Sequence, residues 1–310
     1  MPIDTGLKGI NNESIIFECT DSIADNILFI LSNIEKVSYI KEQILIEGLY
    51  SSTIEGANTT VEQVSKVLRN PVSKSDKMVV NNFKALHYVY EHGISLSNIR
   101  TVWEIITKDV CENLSCDGIL FRSKMVYVGK HTPEKPEKIH IKMKSLFEDC
   151  INTDPIIKAC IYHWYTAYIH PFCDGNGRLA RLCLCEQLNR ISIDFNKISI
   201  SRAINNRLMD YYKSFPVPVN NVIDITTSIE YMIDRISAAV KFGLRGELTN
   251  TLDYIYNKML KSNDGFTVSK LSKVLNISSE NAHYYLQLLF EKGYASVEVV
   301  DSNYVYKPIR

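Results

Sequence analysis

The sequence predicts an all-α fold, with short β elements confined to one internal segment and to the C-terminal end. Apolar residues recur at three- and four-residue steps through most of the chain, which is the period of amphipathic helices. Capping residues and prolines mark helix starts and stops, and strand-like alternation is scarce before residue 290. A length of 310 residues fits two domains, or one large domain with an appendage.

The composition excludes several classes of protein. Lys+Arg 35 against Asp+Glu 35 gives no net charge, and therefore no general attraction to nucleic acids or membranes. The N-terminal start is polar, unlike a secretory signal, and the longest clean apolar run, residues 27–31, is too short to span a bilayer. The 8 cysteines form no CxxC pair, so we expect reduced thiols in a cytoplasmic protein without a zinc site.

Two local signals position the first helices. Residues 21–50 have helical periodicity, and Gly56 then interrupts it. The segment TTVEQV reopens the pattern, because Thr60 and Gln63 have the spacing of a capping box. We therefore expect one helical stretch that ends near Gly56 and a second that begins at Thr60.

In the middle of the chain, single residues mark where helices begin and end. Asp154 followed by proline predicts a helix start, and Pro171 predicts that this helix stops near His170. A second helix is expected from about Gly177 through residue 188. Before them, MVYVG at residues 125–129 alternates like a strand and precedes the proline-rich loop KHTPEKPEK, which predicts a small hairpin or flap.

The stretch HPFCDGNGRLAR, residues 170–181, joins the two central helices and is too polar for a core. A helix N-terminus presents unpaired N–H groups that attract anions. Gly175 and Gly177 would let the backbone approach a phosphate closely. Arg178 and Arg181 lie three residues apart, so both guanidinium groups can face one ligand. The pattern predicts a phosphate-binding site.

Two more side chains in this stretch favour group transfer over binding alone. The Asp174 carboxylate would suit a magnesium ion that also touches the phosphates. His170 can take a proton near neutral pH. Each feature alone has an ordinary structural explanation as a turn, a helix cap or a solvated surface. Their combination predicts transfer from a nucleoside triphosphate to an acceptor that His170 deprotonates.

The same stretch resembles the signature of the Fic (filamentation induced by cAMP) family, His-x-Phe-x-(Asp/Glu)-Gly-Asn-Gly-Arg-x-x-Arg, with every specified position filled. The resemblance implies a helical bundle that transfers AMP from ATP, with Mg²⁺, to a Ser, Thr or Tyr hydroxyl of a target protein. The implied roles are His170 as base, Asp174 as metal ligand, Gly175, Asn176 and Gly177 as phosphate cradle, Arg178 on the β-phosphate, Arg181 on the γ-phosphate, Phe172 as buried anchor and Cys173 as a packing residue.

Two further segments are similar to regions of that family. GILFRSKMVYVGKHTPEKPEKI resembles its flap, entered through Gly118 and Arg122. A strand edge at Val126, Tyr127, Val128 and Gly129 would then hold a target segment by β-augmentation, the alternative being a plain edge strand. INNRLMDYYKSF resembles the region beyond the signature and implies that Tyr211 or Tyr212 borders the adenine.

The segment SSTIEG, residues 51–56, is an ordinary helix end by itself. Ser51 and Glu55 lie four residues apart on one helix face, and Gly56 is a natural stop. Beside the signature, the segment resembles the inhibitory motif (Ser/Thr)-x-x-x-Glu-(Gly/Asn) of the same family. A Glu55 carboxylate paired with Arg181 would take from the γ-phosphate its partner Arg181. ATP could then bind only in a pose unsuited to in-line attack by the target hydroxyl.

The C-terminal segment predicts a second unit. Asn250 is a candidate cap for a helix through Leu260, and two helices and a β-hairpin with the turn DSN follow. This is the order of a winged-helix domain. Residues 251–310 carry 7 Lys/Arg and 6 Asp/Glu, so DNA is not the favoured partner. A recognition helix would offer Asn281, His283, Tyr284 and Gln287.

We therefore expect an N-terminal helical region with the inhibitory helix at 1–75, a Fic core at 76–247 and a winged helix at 248–310. The favoured function is a protein adenylyltransferase that Glu55 inhibits. The alternatives are a DNA-binding regulator whose Fic domain senses nucleotide, and removal of AMP by the same site. ATP and a hydroxyl-bearing protein are the expected partners, a homodimer is left open by the resemblance, and no membrane is expected.

Overall fold

A computed structural model describes residues 1–39, 43–111, 120–129, 131–148, 151–244, 250–262, 264–300 and 303–309. The chain divides into two compact units. The first comprises Met1–Glu35 and Tyr39–Val240, and the second comprises Lys36–Ser38 and Lys241–Arg310. The boundary expected between residues 247 and 248 lies outside the described residues. The boundary expected between 75 and 76 falls in the first turn of a helix within the first unit.

The first unit is mostly helical. Its helices are α1 (Asp21–Asn33), a 3-10 turn (Ile34–Lys36), α2 (Gln43–Ile54), α3 (Val61–Arg69), α4 (Lys74–His92), α5 (Ile99–Thr107), α6 (Pro136–Phe147), α7 (Pro155–Ile169), α8 (Asn176–Asn189), α9 (Ile200–Asn205), α10 (Leu208–Lys213) and α11 (Thr226–Leu244), the last of which runs into the second unit. The predicted helix start at Asp154 is confirmed, since its carboxylate accepts from the backbone N–H of Ile156 at 2.8 Å.

Helices α7 and α8 form the centre of this unit. Nearly every residue of both helices is buried, and the two aromatic rings of Trp164 and Tyr168 stack at 4.8 Å within α7. Helix α2 is also enclosed, and it packs against α4, α9 and α8. A helix that is apolar on most sides has to lie inside a domain. The segment between α7 and α8 is consequently held at both ends by the densest part of the core.

A small sheet in the first unit corrects the expectation of an all-α bundle. Strands β1 (Ile3–Lys8) and β2 (Ser14–Phe17) pair antiparallel, and β3 (Val222–Asp224) pairs parallel to β2. The fold is therefore mostly helical with small sheets. These strands are short, and β3 pairs with a segment about 200 residues away in sequence. No local sequence pattern therefore predicts them.

The second unit has its own core. It contains α12 (Asn250–Leu260), α13 (Val268–Leu275), α14 (Ser279–Glu291) and an antiparallel hairpin of β4 (Ala295–Val300) and β5 (Asn303–Pro308). Buried residues such as Leu252, Leu271 and Leu286 form one cluster. This is the predicted order of elements, and the winged-helix interpretation stays a prediction. Of the predicted turn DSN, Asp301 and Ser302 lie outside the described residues.

The predicted flap is less regular than a hairpin. Val128 and His131 exchange two backbone hydrogen bonds of 2.9 and 3.1 Å, and they form an isolated bridge instead of paired strands. The side chain of Tyr127 is 74% exposed. Gly118, the predicted lead into the flap, lies outside the described residues.

The described helices and cysteines bear on the expectations that no segment spans a membrane and that the thiols are reduced. Among the described residues, no helix combines the length and the apolar character that a bilayer crossing requires. Cys19, Cys111, Cys160, Cys183 and Cys185 are free thiols. Cys173 is disulfide-bonded, so the expectation of reduced thiols is wrong at that position.

Candidate functional site

His170 lies at the point where α7 ends. It adopts a left-handed conformation with φ 56° and ψ 63°, which few residues other than glycine tolerate. The bend turns the chain out of the helix and toward α8. The Nδ1–H of the ring donates to the carbonyl oxygen of Ala167 at 3.2 Å, since a carbonyl can only accept. Nε2 is therefore the ring nitrogen whose lone pair can accept a proton.

The surroundings of His170 favour its neutral form. Burial lowers the pKa of His170 to about 4, and the nearby charges of Arg122 and His131 act in the same direction. The hydrogen bond to Ala167 and the carboxylate of Glu55 act in the opposite direction but are outweighed. At neutral pH the imidazole is uncharged and able to act as a base.

Arg122 holds the backbone around His170. Its Nε donates to the carbonyl oxygen of His170 at 2.9 Å, and its Nη1 donates to that of Lys124 at 2.8 Å. Nη2 makes a third, short contact with the carbonyl oxygen of Glu134. The Arg122 backbone N–H also donates to Pro171 at 3.0 Å. One buried guanidinium thus ties the flap segment to the loop that carries His170.

The loop after His170 is closed by Asn176. Its side-chain oxygen accepts from the backbone N–H of Phe172 at 2.9 Å, and its amide donates back to the Phe172 carbonyl at 2.9 Å. The Phe172 ring stacks on Trp103 at 4.7 Å, and the indole N–H of Trp103 donates to the Asp174 carbonyl at 2.8 Å. The Asn176 side chain is therefore used within the loop, and only its backbone N–H remains for a phosphate.

The start of α8 has the geometry expected of an anion site. Gly175 adopts φ 78°, and a Cβ there would lie 3.2 Å from Thr107. Arg178, which is buried, donates from Nη1 to the Ile106 carbonyl at 3.0 Å and lies 3.9 Å from the carboxylate of Asp174. No described residue accepts a hydrogen bond from its Nε. A buried, partly unpaired guanidinium beside a helix N-terminus favours an anionic ligand.

Asp174 stands at the exposed side of this helix start. Its side chain is about half exposed. Burial by itself would raise the pKa of Asp174, but the Cys111 thiol, the Arg178 guanidinium and the Gly175 N–H together lower it. The thiol of Cys111 donates to Oδ2 at 3.0 Å, and the Gly175 N–H donates to Oδ1 at 2.5 Å. The carboxylate is ionised at neutral pH and oriented by fixed donors.

Arg181 and Glu55 form an ion pair across 126 residues of sequence. Arg181 Nη2 lies 2.8 Å from Glu55 Oε1, and it also donates to the Ser51 carbonyl at 2.8 Å. Arg181 Nε donates to the Ser51 hydroxyl at 2.9 Å. The structure thus brings together the two segments that sequence motifs singled out, SSTIEG and HPFCDGNGRLAR. The Glu55 charge contributes to raising the pKa of the fully buried Arg181, against the effect of burial.

The Glu55 carboxylate also covers the first turn of α8. A Cβ placed on Gly177 would collide with Glu55 Oε1 and would lie 3.4 Å from Arg181 Nη1. That Nη1 has no hydrogen-bond partner of ordinary length among the described residues. The carboxylate therefore occupies the space over Gly177 in which the glycine-lined helix start would accept an anion.

The two tyrosines predicted beside the adenine lie in different surroundings. Tyr211 is only 4% exposed, and its hydroxyl lies 3.0 Å from His163 Nε2. Tyr212 is 53% exposed, and its hydroxyl lies 3.4 Å from the Ile54 carbonyl, one residue before Glu55. Of the two, Tyr212 presents the more accessible ring, and the adenine contact stays a prediction for both.

Sequence reasoning missed several residues that shape the site. Trp103 and Cys111 carry no local motif, and each meets Asp174 of the signature through a tertiary contact, over 71 and 63 residues of sequence. No one-dimensional pattern identified them. The sequence indicates Arg122 only as an approach to the flap, although its Nε binds the His170 carbonyl of the signature and its two Nη groups bind carbonyls of the flap segment.

Part of the chain is similar to known proteins. Residues 93–188 match the Fic/DOC family. The chain is 31% identical over 141 residues to the protein adenylyltransferase fic-1 of Caenorhabditis elegans, covering 44% of this chain and 26% of that one. It is 28% identical over 165 residues to the protein adenylyltransferase Fic of Drosophila willistoni, covering 48% and 33%. The chain thus spans between a quarter and a third of the length of these relatives.

Solved structures extend the similarity of the fold. A Fic family protein from Desulfovibrio desulfuricans superposes with a TM-score of 0.64 at 18% identity, covering 94% of this chain and 97% of that chain. Residues 134–508 of Fic-1 from Caenorhabditis elegans superpose with a TM-score of 0.53 at 19% identity, covering 72% and 70%. The chain thus has the mostly helical fold of solved Fic family proteins, its residues 93–188 match the Fic/DOC family, and it is distantly similar to protein adenylyltransferases.

Proposed function

We propose that this protein transfers AMP from ATP to a hydroxyl side chain of a target protein and that Glu55 inhibits the transfer. The observation that carries the proposal is a pair of buried arginines at one helix start, each with an N–H group that no described residue satisfies. Arg178 and Arg181 lie within reach of a single polyphosphate, and the neutral ring of His170 lies at the end of α7, just before the loop that leads into α8.

The residues at the helix start fit a triphosphate with magnesium. Gly175 and Gly177 leave the backbone open, and two guanidinium N–H groups lack partners among the described residues. Asp174 would hold Mg²⁺. Within the described ranges there is no cluster of three His, Cys, Asp or Glu that would hold a metal alone. The metal would therefore arrive with the phosphates, whose charge it would neutralise.

The proposed reaction assigns a distinct task to each residue. Nε2 of His170 removes the proton from the target hydroxyl, whose oxygen then attacks the α-phosphorus of ATP. The bond between the α-phosphorus and the bridging oxygen breaks, and pyrophosphate leaves. Arg178 would balance charge on the β-phosphate and Arg181 on the γ-phosphate, while the backbone N–H groups of α8 cradle the chain of phosphates.

The proposed inhibition follows from the position of Glu55. While its carboxylate pairs with Arg181, the guanidinium is not available to the γ-phosphate, and a second negative charge lies over the first turn of α8. ATP would then bind in a pose unsuited to attack at the α-phosphorus. The same carboxylate would be well placed to orient water, so removal of AMP is the outcome that competes with its addition.

A target segment would dock at the flap. Val126, Tyr127, Val128 and Gly129 are exposed or partly exposed, and Val128 forms the bridge with His131. Pairing with this edge would bring an extended peptide close to the loop of His170, which Arg122 joins to the flap. Recognition by backbone hydrogen bonds places few limits on the target sequence.

The proposal is tested with ATP labelled at either the α- or the γ-phosphate. Purified wild type, Glu55→Gly and the double variant Glu55→Gly/His170→Ala are incubated with Mg²⁺ and a lysate. We expect protein-bound label from α-labelled ATP with Glu55→Gly, little with wild type and none with the double variant. Label from γ-labelled ATP, or equal labelling without His170, would contradict AMP transfer. Release of AMP from labelled protein by wild type would indicate the reverse reaction.

A further inference from the structure

We propose that Cys111 is a positioning residue, whose thiol fixes the orientation of the Asp174 carboxylate and so strengthens the binding of Mg²⁺ together with ATP. The inference rests on the proposed function, because it concerns the carboxylate assigned to the metal. Cys111 belongs neither to the signature nor to the inhibitory segment, and 63 residues of sequence separate it from Asp174.

The direction of the contact between these two side chains can be assigned. Cys111 Sγ lies 3.0 Å from Asp174 Oδ2. An ionised carboxylate has no hydrogen to donate, so the thiol donates and the oxygen accepts. The other carboxylate oxygen, Oδ1, accepts from the backbone N–H of Gly175 at 2.5 Å. An aspartate carboxylate by itself rotates over a broad range, and one donor at each oxygen restricts that rotation.

The backbone around both residues is held by α5 and by the turn that follows it. The indole N–H of Trp103 donates to the Asp174 carbonyl at 2.8 Å. The Cys111 backbone N–H donates to the carbonyl of Thr107, the last residue of α5, at 3.3 Å. Thr107 is buried, and a Cβ on Gly175 would lie 3.2 Å from its methyl group. The short thiol side chain therefore meets the carboxylate because their two segments pack directly on each other.

Both donors to the Asp174 carboxylate are electrically neutral. Arg178 Nη2 lies 3.9 Å from Oδ1, which is beyond hydrogen-bond distance. A thiol and a backbone N–H orient the carboxylate without cancelling its charge, and each carboxylate oxygen can accept more than one contact. The side chain of Asp174 is also about half exposed, so a cation can reach it. Partners that orient a metal-binding side chain in this way commonly strengthen metal binding.

The test compares the removal of the donor with its replacement. Cys111→Ala removes the thiol, whereas Cys111→Ser keeps a donor close to the same place. Cys19→Ala removes an exposed free thiol of the same unit and is the matched control. All three are made in the Glu55→Gly/His170→Ala background, in which ATP is not consumed by transfer. Calorimetry then measures the affinity for ATP with saturating Mg²⁺ and again in EDTA.

The ratio of these two affinities reports on the metal, because general damage to the fold would weaken ATP binding under both conditions. We expect Cys111→Ala to lower the ratio about fivefold, the loss of one weak hydrogen bond, while the affinity in EDTA changes less than about twofold. Cys111→Ser and Cys19→Ala should keep the ratio within about twofold of the background protein. An unchanged or raised ratio in Cys111→Ala, or equal weakening with and without Mg²⁺, would overturn the inference.

Asp174→Asn in the same background separates this result from the proposed function. We expect it to abolish the preference for ATP with Mg²⁺. If the preference survives that change, the assignment of the metal to Asp174 is wrong and the inference about Cys111 is overturned with it. If the background protein binds no ATP under either condition, the proposed function itself fails, and that result is visible without any Cys111 variant.

Discussion

The Arg122 guanidinium donates from Nε to the carbonyl oxygen of His170 at 2.9 Å, so a buried cation fixes the backbone of the proposed catalytic base. The same side chain reaches Lys124 and Glu134 in the flap segment. The loop of His170 and the flap are therefore one hydrogen-bonded assembly. A change at Arg122 should affect the folded state and the proposed reaction together.

Arg122→Lys should lower both stability and AMP transfer. Lysine keeps the charge but lacks the planar fork that serves three carbonyls in different directions. We expect a loss of about 3 kcal/mol in the free energy of unfolding by urea titration. The exposed Arg69 provides the control, and Arg69→Lys should change stability by less than about 0.5 kcal/mol. Equal effects of the two changes would refute the structural role of Arg122.

Ser51→Ala should weaken the inhibition without removing it. The change deletes the hydroxyl that accepts from Arg181 Nε at 2.9 Å, whereas the Ser51 carbonyl and the Glu55 carboxylate remain. We expect transfer from α-labelled ATP to rise several-fold above wild type and to stay below that of Glu55→Gly, in line with one hydrogen bond of about 1 kcal/mol. Ser145→Ala, on the exposed face of α6, is the control. If Ser51→Ala does not raise transfer from α-labelled ATP above wild type, the Ser51 hydroxyl does not contribute to the inhibition.

The proposed reaction should tolerate mildly acidic conditions. Because the pKa of His170 is lowered to about 4, the neutral form that accepts a proton persists well below the ordinary histidine value of 6.5. In single-turnover assays of Glu55→Gly with saturating ATP, we expect a constant rate from about pH 7.5 to about pH 5.5 and a decline as the pH falls toward 4. A half-maximal rate near pH 6.5 would contradict this assignment. Recovery of the rate after return to pH 7.5 excludes irreversible inactivation, and circular dichroism at each pH checks that the protein stays folded.

Glu47 should be a main determinant of how α2 is held. Its buried carboxylate accepts from the Ser199 hydroxyl at 2.8 Å and from the backbone N–H and the hydroxyl of Ser201. Glu47→Ala leaves these donors without an acceptor, so we expect a loss of about 3 kcal/mol in unfolding free energy. The matched change Glu35→Ala breaks a 3.4 Å surface ion pair with Lys197 and should cost less than about 1 kcal/mol. Similar losses for both variants would be evidence that the buried hydrogen bonds of Glu47 do not hold α2.

Prediction from sequence succeeded where the signal is local. Asp154 and Pro171 bound α7 because a cap and a following proline act on neighbouring residues. The glycines of the signature likewise predicted an open helix start, and the structure gives Gly175 a positive φ there. The N-terminal sheet was not predicted, since β2 and β3 are strands of only four and three residues and gain stability by pairing with strands distant in sequence or with each other.

The sequence by itself determined the order of helices, the chemistry available at residues 170–181 and the presence of an acidic helix end at Glu55. Only the tertiary structure decided that Glu55 meets Arg181, that the Asn176 side chain closes its own loop, and that Tyr211 is buried while Tyr212 is accessible. The physical reason is the range of the interactions. Helix caps and turns depend on residues a few positions apart, whereas these contacts depend on how separate helices pack in one core.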